Sequence, residues 1–210
     1  RIRYTTSHPK DLDEKTMQAM HDCKSVMPHL HLPVQSGDND ILKKMNRKYT
    51  YEDYMQKVIR LKELVPDIAL TTDIIVGFPN ETEEQFLNTL KLVENAKFEG
   101  AYTFIYSKRE GTPAASMLDC ITDEEKHMRL NRLNVLINAG YLAGHQRFLN
   151  QIVEVLVDGP SKNGEGMMCG YTPHLKLVHF KSNDLSLIGK MVKVKVTEAK
   201  TWFMIGELCE

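Results

Sequence analysis

The 210-residue sequence predicts an α/β domain built on a parallel sheet, followed by a small antiparallel β-barrel. Three observations predict it. From residue 29, strand-like and helix-like blocks alternate in units of roughly 30 to 40 residues, the rhythm of right-handed crossovers. The helical blocks open on side-chain caps and carry apolar stripes at helical spacing. Near Phe148 the texture changes to short alternating runs split by Gly, Pro, Asn and Asp, so 1–147 and 148–210 read as two domains joined by a long helix.

Taken in order, "RIRYTTSHP" reads as a strand with its turn, and a helix is expected from about Asp13 to Cys23. "HLHLPVQ", 29–35, alternates as a strand and ends at Ser36-Gly37. In "TYEDYMQKVIRLKELVP", Tyr54, Val58, Leu61 and Val65 repeat at helical spacing, Thr50 and Asp53 stand as a capping box, and Pro66 lies just past the end. "DIALTTDIIVG" is the next strand. "TEEQFLNTLKLVENAKF" follows as a helix capped by Thr82 and Gln85, with Phe86, Leu90 and Val93 on its apolar face. "GAYTFIYS" supplies a further strand, and from Thr122 a long helix presents Leu130, Leu133, Ile137 and Tyr141 on one side. "QIVEVLVDG", "GYTPHLKLVHF", "LIGKMVKVKVTEA" and "WFMIGELCE" are the barrel strands. A sheet this small leaves an open edge, and further strands are expected upstream of Arg1.

Composition narrows the function classes. Twenty-seven basic and 28 acidic residues give a formal charge of −1, so no global field advertises nucleic acid. No apolar run approaches the ~18 residues of a membrane span, and the start carries neither a signal peptide nor a methionine. The expectation is a soluble, cytoplasmic protein truncated at its front, with no membrane partner. Cys23, Cys120, Cys169 and Cys209 are far apart and form no C-x-x-C pair, so they read as reduced structural thiols.

Ligands of parallel α/β sheets sit at the carboxyl ends of strands, and Gln35, Ser36, Asp73 and Arg109 fall at or near such ends. Asp73 interrupts an apolar β-branched run. A carboxylate there needs a partner, which is either a structural hydrogen bond to a neighbouring strand or Arg47, or a ligand. Gly77 and Pro79 break the same run, as a plain strand-to-helix turn does and as a backbone approached by a flat ligand also does. His29 and His31 share a strand face, either as packed, hydrogen-bonded residues or as the start of a metal-hydrolase site, for which the later strands offer no further histidine. Arg109, with Lys108, is either a solvated loop charge or a fork for carboxylate or phosphate.

The words "TTSHP", "HLHLPVQSG", "MNRKYTYEDY", "TTDIIVGFPNETEEQF" and "FIYSKREGTPAA", with the closing barrel, together resemble the methylthiotransferases of the radical S-adenosylmethionine superfamily. "TSHP" and "HLPVQSG" favour the branch that modifies isopentenylated adenosine beside the tRNA anticodon over the threonylcarbamoyladenosine and ribosomal-protein branches. The resemblance implies a partial (β/α) barrel of the TIM type over 1–147 and an OB-like TRAM barrel over 148–210. It implies S-adenosylmethionine as cofactor, with Gln35 and Asp73 facing the ribose hydroxyls, Ser36 beside that pocket and Arg47 on the methionyl carboxylate. Val76 and Gly77 then pack along the adenine, and Tyr106 and Arg109 border the mouth. It also implies two [4Fe-4S] clusters whose ligands are not in this chain, since no C-x-x-x-C-x-x-C occurs, an external electron donor, a tRNA anticodon stem-loop as partner, and a monomer. Asn80 departs from the glycine usual in "GFPGET", a turn that asparagine tolerates.

For the barrel the resemblance implies a grip on tRNA. Seven lysines in 148–210 are matched by seven acids, so a basic patch has to come from distribution. Tyr171, His174, Lys176, Lys181, Lys193 and Lys195, with His179 and Lys190, are the phosphate and stacking candidates, against the alternative of a solvated barrel face. A stand-alone RNA-binding module without catalysis is the competing reading of the whole chain.

Overall fold

The computed structural model describes residues 1–4, 8–162 and 164–209. Helix α1 (Glu14–Asp22) starts where Asp13 accepts the Thr16 amide at 2.8 Å. Strand β1 (His29–His31) pairs parallel with β2 (Ala69–Val76), which pairs parallel with β3 (Ala101–Ile105). Between them run α2 (Asn39–Lys44), α3 (Tyr51–Leu64) and α4 (Glu83–Ala96), and α5 (Asp123–Gln146) packs back against β3. The capping boxes form as expected: Thr50 with Asp53 opens α3, and Thr82 with Gln85 opens α4. Thr122 accepts the Glu125 amide at the start of α5.

The sheet departs from the sequence expectation at its first strand. Pro33 has no amide to give, so regular pairing stops at His31 and resumes only as a single bridge from Gln35 to Ile74. Thr72 fills the gap. Its hydroxyl accepts the Val34 amide at 2.9 Å and donates to the Leu32 carbonyl at 2.8 Å. The expected opening strand is also reduced: among the described residues only Ile2 joins a ladder, bridging Val26, while residues 5–7 lie outside them. Arg1 and Arg3 instead reach the second domain, donating to the carbonyls of Tyr171 and Thr172 at 2.8 and 2.6 Å.

That domain is a closed barrel of β4 (Ile152–Pro160), β5 (Met167–Tyr171), β6 (Leu177–Lys181), β8 (Met204–Leu208) and β7 (Met191–Ala199), in that spatial order. All pairs are antiparallel except β6 with β8, which closes the barrel in parallel. Alternate residues such as Val153, Val155, Val178, Phe180, Val194 and Val196 fill its interior. The barrel docks through a polar cluster centred on the buried Lys176. Lys176 Nζ lies 2.8 Å from Glu99 Oε2, Arg147 lies 3.2 Å from Glu99 Oε1, and His174 Nε2 lies 2.9 Å from Asp67 Oδ2. Asp67 and Glu99 immediately precede β2 and β3, so the barrel is anchored at the amino ends of the strands and leaves their carboxyl ends open.

Candidate functional site

Strand β2 has two faces. Leu70, Thr72, Ile74 and Val76 are fully buried under the helices, whereas Thr71, Asp73 and Ile75 point to the uncovered face of the sheet and are half-buried. Register places Asp73 beside Tyr102 and Ile75 beside Phe104 on β3. Tyr102 and Phe104 are 64% and 51% exposed, so the face presents aromatic rings around a carboxylate.

Asp73 meets its partner on β1: His31 Nε2 lies 3.2 Å from Asp73 Oδ1, while His31 Nδ1 lies 3.0 Å from the Thr71 hydroxyl. The structural alternative for Asp73, a neighbouring strand, is therefore realised, and the side chain is not sealed in. It keeps 28% of its surface, enough to receive a second group from the open side. His29 differs. Burial, reinforced by the cations Arg3 and Lys176, pushes its pKa down to about 4, which makes it a neutral packing residue. Among the described residues there is no group of three or more His, Cys, Asp or Glu side chains that could hold a metal ion.

Gln35 stands next to Asp73 through the backbone, its amide donating to the Asp73 carbonyl at 2.9 Å and its carbonyl accepting the Ile75 amide at 2.9 Å. It is buried and adopts φ 75°, a left-handed conformation uncommon for glutamine that ends the β1 path. Arg47 follows α2, is half-buried and makes no ion pair among the described residues. Asp73 is an acceptor already shared with His31, Gln35 adjoins it through the backbone, and Arg47 offers a guanidinium without an ion pair among the described residues, the residue types that recognise hydroxyls and carboxylates.

The remaining candidates divide. Ser36 is fully buried, and its hydroxyl lies 3.3 Å from that of Thr89 on α4 while accepting the Asp38 amide, so it turns into the helix layer and away from the pocket expected for it. Val76 is buried, and its carbonyl accepts the Tyr106 amide at 2.8 Å. Gly77 has φ 69°, and a Cβ there would stand 2.6 Å from Lys126 Cγ. The glycine is thus required by the turn and by close packing of α5, which is a different reason from the ligand approach considered above. Tyr106 packs edge-on against Phe78 with ring centroids 5.1 Å apart, and its buried hydroxyl has no partner among the described residues. With Pro79, Met117, Leu118, Asp119 and Lys126 it lines a hollow of about 310 Å³ beside the strand end. Arg109 is exposed on the loop that follows. A larger hollow, about 560 Å³, lies far from these groups on the second domain, between Pro160, Met167 and Leu185.

On the barrel, Lys176 and His174 are corrected. Lys176 is only 5% exposed and committed to Glu99, and the His174 ring is held by Asp67 and packed on Phe148, so neither faces solvent for RNA. His179 is likewise buried, with Nδ1 2.9 Å from the Ser161 hydroxyl. Tyr171, Lys181, Lys193 and Lys195 are exposed. Lys193 stands opposite Glu154 and Lys195 opposite Glu207, so positive charge on this face is interleaved with acid.

Sequence reasoning missed the support beneath the strand end. Glu81, buried, accepts the Gly77 amide at 2.9 Å and faces Arg129 of α5 at 3.0 Å. The available signal was in α5, where Lys126 and Arg129 continue the buried stripe of Leu133 and Ile137 at helical spacing.

A parallel sheet with polar groups at its carboxyl strand ends is thus joined to a small closed barrel, and two family models divide the chain in the same way. Residues 1–93 match the Radical SAM superfamily and residues 146–209 match the TRAM domain. Over 210 residues the chain is 54% identical to the tRNA-2-methylthio-N(6)-dimethylallyladenosine synthase of Bacillus cereus (strain B4264), covering 100% of this chain and 41% of the relative. It is 52% identical over 208 residues to the enzyme of that name from Geobacillus thermodenitrificans (strain NG80-2), covering 99% and 40%. The chain therefore spans about 40% of the length of the curated relatives it matches. Among solved structures, coproporphyrinogen III oxidase (HemN) from Escherichia coli, a radical SAM enzyme, aligns with a TM-score of 0.55 at 13% identity over 94% of this chain and 46% of that one, a likeness of fold alone.

Proposed function

We propose that the chain is the carboxyl-terminal portion of a radical S-adenosylmethionine methylthiotransferase that adds a 2-methylthio group to N6-isopentenyladenosine beside the tRNA anticodon. The observation that carries the reading is 54% identity over 210 residues, the full length of this chain, to a synthase named for that product.

S-adenosylmethionine, together with the iron–sulfur clusters of the complete enzyme, supplies the radical chemistry. The residues described here bind and orient. Asp73 and Gln35 accept from the ribose hydroxyls, and Arg47 holds the carboxylate with a permanent cation. The backbone of Val76 and Gly77 flanks the adenine, Tyr106 and Arg109 border the mouth, and Tyr102 and Phe104 keep water from the open face. Ser36 acts indirectly, fixing the turn after Gln35 through Thr89 and Asp38. On the barrel, Tyr171, Lys181, Lys193 and Lys195 contact the tRNA stem-loop. No helix among the described residues is long and apolar enough to cross a membrane. The proposed role on tRNA supports a cytoplasmic location.

The direct test is a chimera in which this chain replaces the matching portion of the Bacillus cereus relative. Methylthiolated product in tRNA, detected by mass spectrometry, is expected. A folded, cluster-loaded chimera that leaves N6-isopentenyladenosine unmodified refutes the reading.

A further inference from the structure

The corner between β2 and α4 is held from one direction. Gly77 and Asn80 both adopt left-handed backbone, φ 69° and 60°, the conformation that these two residue types reach most readily. Tethers from residues 118–129 converge on it. The Leu118 carbonyl accepts from Asn80 Nδ2 at 2.6 Å, and Lys126, paired with Asp119 at 2.6 Å, fills the space above Gly77. Arg129 Nη1 donates to the Glu81 carbonyl at 2.7 Å and to Glu81 Oε2 at 3.0 Å. Oε2 in turn takes the Gly77 amide. A single carboxylate oxygen thus connects a helix guanidinium to the backbone at the end of β2.

This arrangement is poorly suited to stability alone. Glu81 and Arg129 are each 2% exposed; Arg129 also pairs with Glu125 on its own helix and its Nε lies 3.9 Å from Glu83 Oε2, yet Glu81 Oε1 and Arg129 Nε have no hydrogen-bond partner among the described residues. A buried ion pair with unspent polar atoms gains little over an apolar pair of equal volume, and the better-attested use of such pairs is to select one conformation. The conformation selected here is that of Val76 and Gly77.

We propose that Arg129 is a positioning residue: through Glu81 it sets the Val76–Gly77 backbone on which the adenine of S-adenosylmethionine rests, and so governs cofactor affinity. The inference depends on the cofactor reading of this strand end. Rigid pre-setting of a binding surface raises affinity by removing the ordering that binding would otherwise require.

The test titrates S-adenosylmethionine by calorimetry into the cluster-loaded chimera carrying this chain, and follows the Gly77 amide resonance in a ¹⁵N-correlated spectrum and thermal midpoints on the purified chain. Because Arg129→Met alone strands Glu81, the informative variant pairs it with Glu81→Gln, whose amide oxygen can still accept the Gly77 N–H without a neighbouring cation; Arg129→Lys keeps a cation near Glu81. The paired variant is expected to stay folded, to move the Gly77 amide resonance and to bind S-adenosylmethionine about tenfold more weakly. Arg129→Lys is expected to recover most of both. If the paired variant is folded and binds as tightly as the parent, Arg129 has no positioning role although the cofactor site stands. If the parent itself shows no binding, the cofactor reading falls and the inference with it.

Discussion

Lys176 gives the sharpest separation between an RNA-contacting lysine and a docking lysine. Its ammonium is 2.8 Å from Glu99 Oε2, donates to the Glu99 carbonyl at 3.3 Å, and belongs to a residue only 5% exposed. Breaking a buried ion pair from one side costs about 3–5 kcal/mol. Glu99 retains Arg147 at 3.2 Å and keeps 15% of its side-chain surface, which lowers the expectation for Lys176→Met to about 2–3 kcal/mol. At roughly 2–4 °C per kcal/mol for a chain of this size, the thermal midpoint should fall by about 4–12 °C. The assay pairs thermal unfolding with titration of an anticodon stem-loop at two salt concentrations, below the variant's midpoint. Affinity and its salt slope should be unchanged. Lys193→Ala with Lys195→Ala should do the reverse, leaving the midpoint in place and flattening the salt slope by about one unit for each phosphate no longer neutralised. A Lys176→Met protein of parental stability that binds the stem-loop more weakly refutes the docking assignment.

Two further outcomes follow from buried groups on the sheet. His29 is neutral in the fold, its pKa lowered from 6.5 to about 4, so the unfolded chain binds the extra proton first: stability is full above pH 6.5 and falls as pH drops from there towards 4. The loss attributable to this residue is about 3 kcal/mol, and urea titrations across that window should show His29→Gln with a correspondingly flatter pH dependence; equal slopes for the two proteins contradict it. Thr72→Val keeps shape but removes the acceptor of the Val34 amide, leaving a buried donor unsatisfied at about 1–3 kcal/mol; an unchanged urea midpoint shows that the hydroxyl does not bridge the Pro33 gap.

Local chemistry made the helices legible. Thr50 with Asp53, Thr82 with Gln85 and Thr122 are signals complete within four residues, and each cap forms. The departures are non-local or sub-threshold. Helix α2 is too short to show periodicity and went unpredicted. The pairing of Asp73 with His31 depends on register between strands 40 residues apart, and the parallel β6–β8 pairing depends on closure of the barrel. Lys176 and His174 look like surface residues of a small barrel until the docking partners Glu99 and Asp67, from the first domain, are brought beside them. Alternation on β2 put Asp73 on one face and Thr72 on the other, yet only the uncovered state of the Asp73 face shows that its carboxylate is half open.

Whether the polar strand end around Asp73 receives S-adenosylmethionine is tested most directly by calorimetric titration of the cofactor into the cluster-loaded chimera carrying this chain and into its Asp73→Asn variant, with circular dichroism to confirm equal folding. Saturable binding to the parent is predicted, with about a tenfold loss in the variant, the weight of a charged acceptor on a ribose hydroxyl. Equal affinity in the two proteins, or no binding by the folded parent, contradicts the assignment.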